Sequence, residues 1–330
     1  MTRPRRPMPP PLKPPAPGLW RRTPPAIFPP IFGLFGLGLG WRAAGQAFGI
    51  SPGFGDMILG AVAILFLFAL VAWLAKPLRR PAVVLEELRV LPGRAGVAAA
   101  SLCLMLLAAS LVPFAPVLAL GLALLATLAQ AAFIILLTYV MRTGPAEGRV
   151  VTPIFHLSFV GFILGGLVAN ALGHHEVAKW LLWAMLVPAG LIWGISARQL
   201  LARVPPAPLR PLLAIHLAPA ALFAIVAQGA GLEGAAYAFM ALAAAIFAAL
   251  LVALRWLTAS GFSPLWGAFT FPLAAFATAL ITVSQGVGPM AWAGGVLLAG
   301  ATITIPLVAF RILKMWASGP LAAKTNAAEA

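Results

Sequence analysis

Residues 116–142 read PVLALGLALLATLAQAAFIILLTYVMR, a run opened by proline and free of charge until Arg142. As a helix rising 1.5 Å per residue it reaches about 40 Å, more than the ~30 Å of hydrocarbon in a bilayer. A run so long and so apolar specifies a membrane-crossing helix. Comparable runs lie on both sides of it. The expected helices are 27–48, 53–75, 95–112, 116–142, 153–173, 177–202, 210–229, 234–258, 264–285 and 290–316, which together take up most of the 330 residues. With 62% hydrophobic and only 9% charged residues, the chain lacks the composition of a water-soluble core. The expected fold class is an all-α polytopic membrane protein whose ten transmembrane helices pair as five helical hairpins.

A net charge of +15 would raise nucleic-acid binding in a soluble chain. Here the cations punctuate the spans instead, and no nucleic acid is implied. They cluster at 3–22, 76–94, 142–149, 198–210, 255 and 311–324, in alternate gaps, and only Arg42 and Lys179 break the pattern. The other gaps, around Asp56, Pro113, 174–179, Glu233 and Gly286, are short and almost uncharged. By the positive-inside rule the basic gaps and both termini face the cytoplasm. Residues 1–24, with six prolines between Met8 and Pro17, are expected to be a disordered, basic, polyproline-like cytoplasmic tail. Residues 25–317 then form the transmembrane domain and 318–330 a second cytoplasmic tail. The single cysteine, Cys103, excludes an intrachain disulfide and any cysteine-based metal cluster.

Odd and even spans differ. Proline interrupts the first (Pro29, Pro30), seventh (Pro219) and ninth (Pro272) and opens the fifth (Pro153), whereas the even spans are smoother Leu/Ala runs apart from Pro188 and Pro306. Proline removes a backbone hydrogen bond and bends a helix, a defect tolerated where neighbours or a water-lined cavity satisfy the freed carbonyl. Glycines at 33, 36, 38 and 40 in the first span and at 161, 165 and 166 in the fifth permit close helix contact or a lumen. The odd spans are therefore expected to form an inner ring. Trp41, Trp73, Trp180, Trp256, Trp292 and Trp316 fall near span ends and read as interfacial anchors.

All seven acidic residues fall in or beside expected loops and tails, so no carboxylate sits at membrane depth to bind a coupling ion. This favours uncoupled conduction over ion-coupled pumping. No Walker-type phosphate loop, metal-ligand spacing or cofactor motif is present, and no enzyme activity is expected. His156 and His216, inside the fifth and seventh spans, either hydrogen-bond an anion or satisfy carbonyls freed by nearby prolines. Arg42, toward the outer end of the first span, either makes a structural ion pair or headgroup contact or attracts anions at an external mouth.

The Pro- and Gly-rich first span with Gly40-Trp41-Arg42 near its end, Leu217-Ala218-Pro219-Ala220 in the seventh, and Ala268-Phe269-Thr270-Phe271-Pro272 in the ninth carry a resemblance over about 25–316. The chain resembles the tellurite-resistance/dicarboxylate transporter family, which includes bacterial TehA proteins and plant guard-cell slow anion channels. The resemblance implies five hairpins around a central pore, a homotrimer with one pore per subunit, and a location in the bacterial cytoplasmic membrane. It implies that Phe271 plugs the pore, with Phe269 as the rival gate. An uncharged lumen with a basic rim is expected to pass small monovalent anions such as chloride or nitrate. The alternative is a carrier or exporter of tellurite-related oxyanions, sulfite, C4-dicarboxylates or toxic compounds.

Overall fold

The computed structural model describes residues 18–330, and all regular structure among them is helical. The expected tail over 1–24 lies outside the described residues as far as residue 17. The first hairpin joins α1 (Phe28–Phe48) to α2 (Gly53–Arg79), and the second α3 (Leu91–Leu111) to α4 (Pro116–Thr143). The third joins α5 (Ile163–Ala171) to α6 (His175–Ala202), the fourth α7 (Leu217–Gly229) to α8 (Glu233–Val252), and the fifth α9 (Thr270–Val283) to α10 (Gly288–Ala317).

The odd helices close a ring: α1 packs on α3, α3 on α5, α5 on α7, α7 on α9, and α9 back on α1. Each even helix lies outside, against its hairpin partner. The apolar stretches containing α1, α3, α7 and α9 are 67–89% buried, and the even ones only 17–33%. The even helices consequently turn side chains such as Ile64, Val117, Ile135, Val187 and Val252 outward. An apolar surface this continuous is stable only in lipid.

The proline pattern explains a second difference between the rings. Three of the odd helices are preceded by a 3₁₀ segment, Pro25–Ile27 before α1, Ala207–His216 before α7 and Pro264–Phe269 before α9, and α5 is preceded by the π-helical turn His156–Val160. The 13 residues of α7 and 14 of α9 alone rise only about 20 Å, so these irregular openings supply the remaining membrane depth.

The fifth span departs furthest from expectation. In place of an uninterrupted helix over 153–173, the helical stretch runs His156–Ala171 and breaks at Gly161 and Phe162, while nine other stretches among the described residues are long enough to cross. The break is served by a side chain of α4. Gln130, 1% exposed, donates to the carbonyls of Leu157 (2.9 Å) and Ser158 (2.6 Å) and accepts from the Ser101 hydroxyl of α3. Lipid offers helices little hydrophobic reason to associate, so such interhelical hydrogen bonds, worth roughly 0.6–2 kcal/mol each, carry weight. Trp41 Nε1 makes another, to Thr302 Oγ1 of α10 at 2.8 Å. Trp73, expected at the interface, is instead 8% exposed and packs edge-on against Phe28.

At the end of the bundle where the basic loops gather, several charges are buried. Lys76, carried inward because α2 runs on to Arg79, is 0% exposed; its Nζ pairs with Glu87 and donates to the Thr23 carbonyl at 3.0 Å. Burial pushes the Glu87 carboxyl above the usual carboxylate range, against the pull of Lys76. Glu86, by contrast, is held low by its hydrogen bond from Arg80. Arg94 spans two connections, donating to the carbonyls of Leu88 (2.6 Å) and Gly148 (2.7 Å). The expected tail 318–330 folds back onto this end: Leu321 is fully buried, Glu329 pairs with Arg22 at 2.6 Å, and the Ala330 amide donates to the Arg21 carbonyl at 3.1 Å.

Candidate functional site

All five openings of the odd helices face one cavity of about 70 Å³ inside the ring. Its wall includes Pro29 from α1, Pro92 just inside α3, His156 and Gly161 from the third hairpin, Pro219 from α7, and Pro272 from α9. The prolines have a local consequence. In regular α geometry Pro30, Pro219 and Pro272 would bond the carbonyls of Ala26, Ile215 and Ala268, and without an N–H they cannot. Ala26, Ile215 and Ala268 all line the cavity. Helix-breaking residues thus put the backbone that lacks its regular partner where a lumen lies, as membrane depth requires.

The odd helices run parallel, so the last lining residue on each marks how far the cavity reaches. Those residues are Phe32, Leu102, Leu164, Leu222 and, beside Pro272, Phe271. The floor is closed by aromatic rings: Phe32 and Phe271 stack with centroids 3.7 Å apart and planes 19° from parallel, each side chain belonging to a residue only 5% exposed. Glycine makes the stack possible. A Cβ on Gly36 would stand 2.9 Å from Phe271 Cδ2, and one on Gly33 would stand 2.2 Å from Thr270 Oγ1. α1 and α9 therefore approach closely, and Thr270 donates across the seam to the Pro29 carbonyl at 3.3 Å as well as to Gly267 within its own span at 2.7 Å.

Among the described residues His156 is the one polar side chain in the cavity wall. Its Nε2 lies 2.9 Å from Nδ1 of His216, and the two rings are nearly perpendicular, 5.0 Å apart. His216 stands behind it rather than on the wall, and the two residues are 3% and 9% exposed. The outer nitrogens, His156 Nδ1 and His216 Nε2, have no partner among the described residues. In a neutral pair one ring donates and the other accepts, so either tautomer leaves one buried N–H and one buried lone pair free. When the free N–H is that of His156, the apolar wall carries a donor for a desolvated anion.

The remaining sequence candidates divide clearly. Pro29, Pro219, Pro272, His156 and Phe271 share the cavity; Pro30 and Phe269 are outside its wall. Pro30 lies over Gly267, and Phe269 packs edge-on against Trp266 at 5.8 Å. Arg42 is remote, at the opposite end, where Nε and Nη2 donate to Asp56 Oδ1 at 2.9 and 2.6 Å and Nη1 to the Ser110 carbonyl at 3.0 Å. Its side chain is 13% exposed, so the guanidinium is compensated by Asp56 and ties α1 to α2 and α3. Sequence reasoning missed Phe32. The available signal was its place one turn from Pro29 on a glycine-lined face, but nothing local shows that the first and last hairpins meet.

No curated relative matches the chain. A parallel five-helix inner ring, kinked by proline around an apolar cavity and wrapped by lipid-facing helices, is nonetheless matched at the level of family. Residues 22–313 fit the SLAC1 family, described as voltage-dependent anion channels, and since the match takes in nearly the whole bundle, the chain belongs to that family.

Proposed function

We propose that the cavity is the inner half of an anion pathway, closed at Phe271 and Phe32, and that small monovalent anions such as chloride or nitrate pass when the stacked rings part. The observation that carries this reading is the convergence of all five odd helices on one apolar cavity whose floor is an aromatic stack. An uncharged, narrow lumen excludes hydrated ions by size and dewetting, so a rotamer change at one ring suffices to open it. Anions of low hydration energy lose least on entering, and in the tautomer in which His216 Nδ1 donates to His156 Nε2 the free N–H lies on His156, where it offers a hydrogen bond in exchange for water. Basic loops at the cavity's open end raise the local anion concentration. On the positive-inside rule that end faces the cytoplasm of a bacterial inner membrane, with both termini on the same side. The family resemblance supports a homotrimer with one pathway in each subunit.

The test is ion flux in liposomes carrying the purified protein. Nitrate and chloride efflux should exceed that of sulfate, and potassium gradients should generate no current of their own. Cation-selective flux overturns the proposal.

A further inference from the structure

A second pocket, of about 420 Å³, opens at the basic-loop end between residues 150–153, the last turns of α6, the connection 203–209, and Leu212 and Leu213. Its chemistry differs from that of the central cavity. Ser196, 5% exposed, and Thr152 both belong to its wall, and the buried Oγ of one and Oγ1 of the other have no hydrogen-bond partner among the described residues. The Ser196 case is telling, because a hydroxyl inside a helix ordinarily donates to the carbonyl one turn back. Thr127, Thr278, Ser284 and Thr302 do so in this chain at 2.6–2.8 Å. Ser196 leaves that bond unmade. Arg203, exposed at the mouth, takes part in none of the ion pairs among the described residues, and no acidic side chain lines the pocket.

Two donors at the base, a free guanidinium at the rim and no acid describe a receptor for an oxyanion. Apart from Gln199 the rest of the wall is apolar, and part of it, Leu200 and Val204, is 42% and 69% exposed toward the surroundings of the bundle. A ligand seated here therefore carries an oily body that continues outward. We propose that this pocket binds the phosphate of an acidic phospholipid from the adjoining leaflet, with Arg203 as counter-charge and Ser196 and Thr152 as hydrogen-bond donors. Basic pockets between helices at the cytoplasmic face are suited to such headgroups. Leu212 is a wall of both this pocket and the central cavity, so a bound headgroup braces the segment that leads into α7.

The test is native mass spectrometry of the full-length protein in mild detergent, titrated with phosphatidylglycerol or with phosphatidylcholine of the same acyl chains. Phosphatidylglycerol should bind at least about tenfold more tightly, as expected for a charge-assisted contact. Arg203→Gln, at an exposed position that leaves the fold intact, should remove most of that preference. Ser196→Ala should weaken it several-fold, and Arg198→Gln, a neighbouring cation outside the pocket, should leave it unchanged. Equal binding of the two lipids, or equal losses in Arg203→Gln and Arg198→Gln, overturns the site. Displacement of the lipid by millimolar inorganic phosphate overturns the lipid as its occupant and assigns the pocket to a free anion. None of these readouts depends on anion flux.

Discussion

Removing either ring of the Phe32–Phe271 stack should open the pathway, and the geometry sets a size for the effect. At 3.7 Å and 19° the rings form a close stacked pair, of the kind that contributes about 0.5–1.5 kcal/mol beyond simple burial. If the closed state holds this contact and the open state lacks it, its loss shifts the equilibrium toward open by about 2- to 13-fold. Widening of the floor adds to that. Phe271→Ala and Phe32→Ala delete the same contact, so the double variant should fall short of the product of the two single effects by that same factor. The assay is chloride efflux from proteoliposomes, followed with a halide-quenched dye and normalised to folded protein, because each truncation also costs roughly 3–5 kcal/mol of packing. Phe269→Ala is the control, since that ring rests on Trp266 away from the cavity, and it should conduct like the parent. Unchanged efflux in either stack variant, or a double variant equal to the product, refutes the reasoning.

Three stability predictions accompany it, all read as thermal unfolding in detergent. Lys76→Met or Glu87→Gln strands a charge in a fully buried site and should cost about 3–5 kcal/mol, whereas the paired replacement Lys76→Met with Glu87→Met should recover most of the loss. Arg42→Lys keeps the charge but cannot reach both Asp56 and the Ser110 carbonyl. It should cost about 1–3 kcal/mol, close to the effect of Asp56→Asn. Gly33→Ala forces a methyl into the place of Thr270 Oγ1 and should cost about 1–3 kcal/mol; a neutral result would mean that α1 and α9 are not in close contact.

The spans were legible because bilayer thickness imposes one length on every apolar run, and alternating cations fix the hairpins whatever the packing. The two rings were legible for a related reason: proline is costly beside lipid, so Pro29, Pro219 and Pro272 mark the inner helices. Features made by long-range pairing were hidden. The short fifth span depends on Gln130, which belongs to a different helix and looks like one polar residue in a smooth run. Lys76, Glu87 and Arg94 read as solvated loop charges because the backbone that covers them comes from 18–24, 148 and the C-terminus. Trp73 has the position of an interfacial anchor, and only the placement of Phe28 shows that its ring is enclosed. His156 and His216 were separate candidates, since nothing in the order of residues shows that α5 and α7 are neighbours.

The seam between α1 and α9 joins residues as far apart as Pro29 and Thr270, separated by 241 positions. During synthesis at roughly 5–20 residues per second, the first hairpin waits in the bilayer for more than ten seconds before its other half exists. Until then the glycine face at 33 and 36 has no occupant, and the barrel is an open arc. Closure of the ring therefore waits until the fifth hairpin inserts, after which Glu329 and Ala330 pair with Arg22 and Arg21. A chain cut short before residue 270 holds four hairpins without Phe271, so the Phe32–Phe271 stack and the closure of the ring come in the same step.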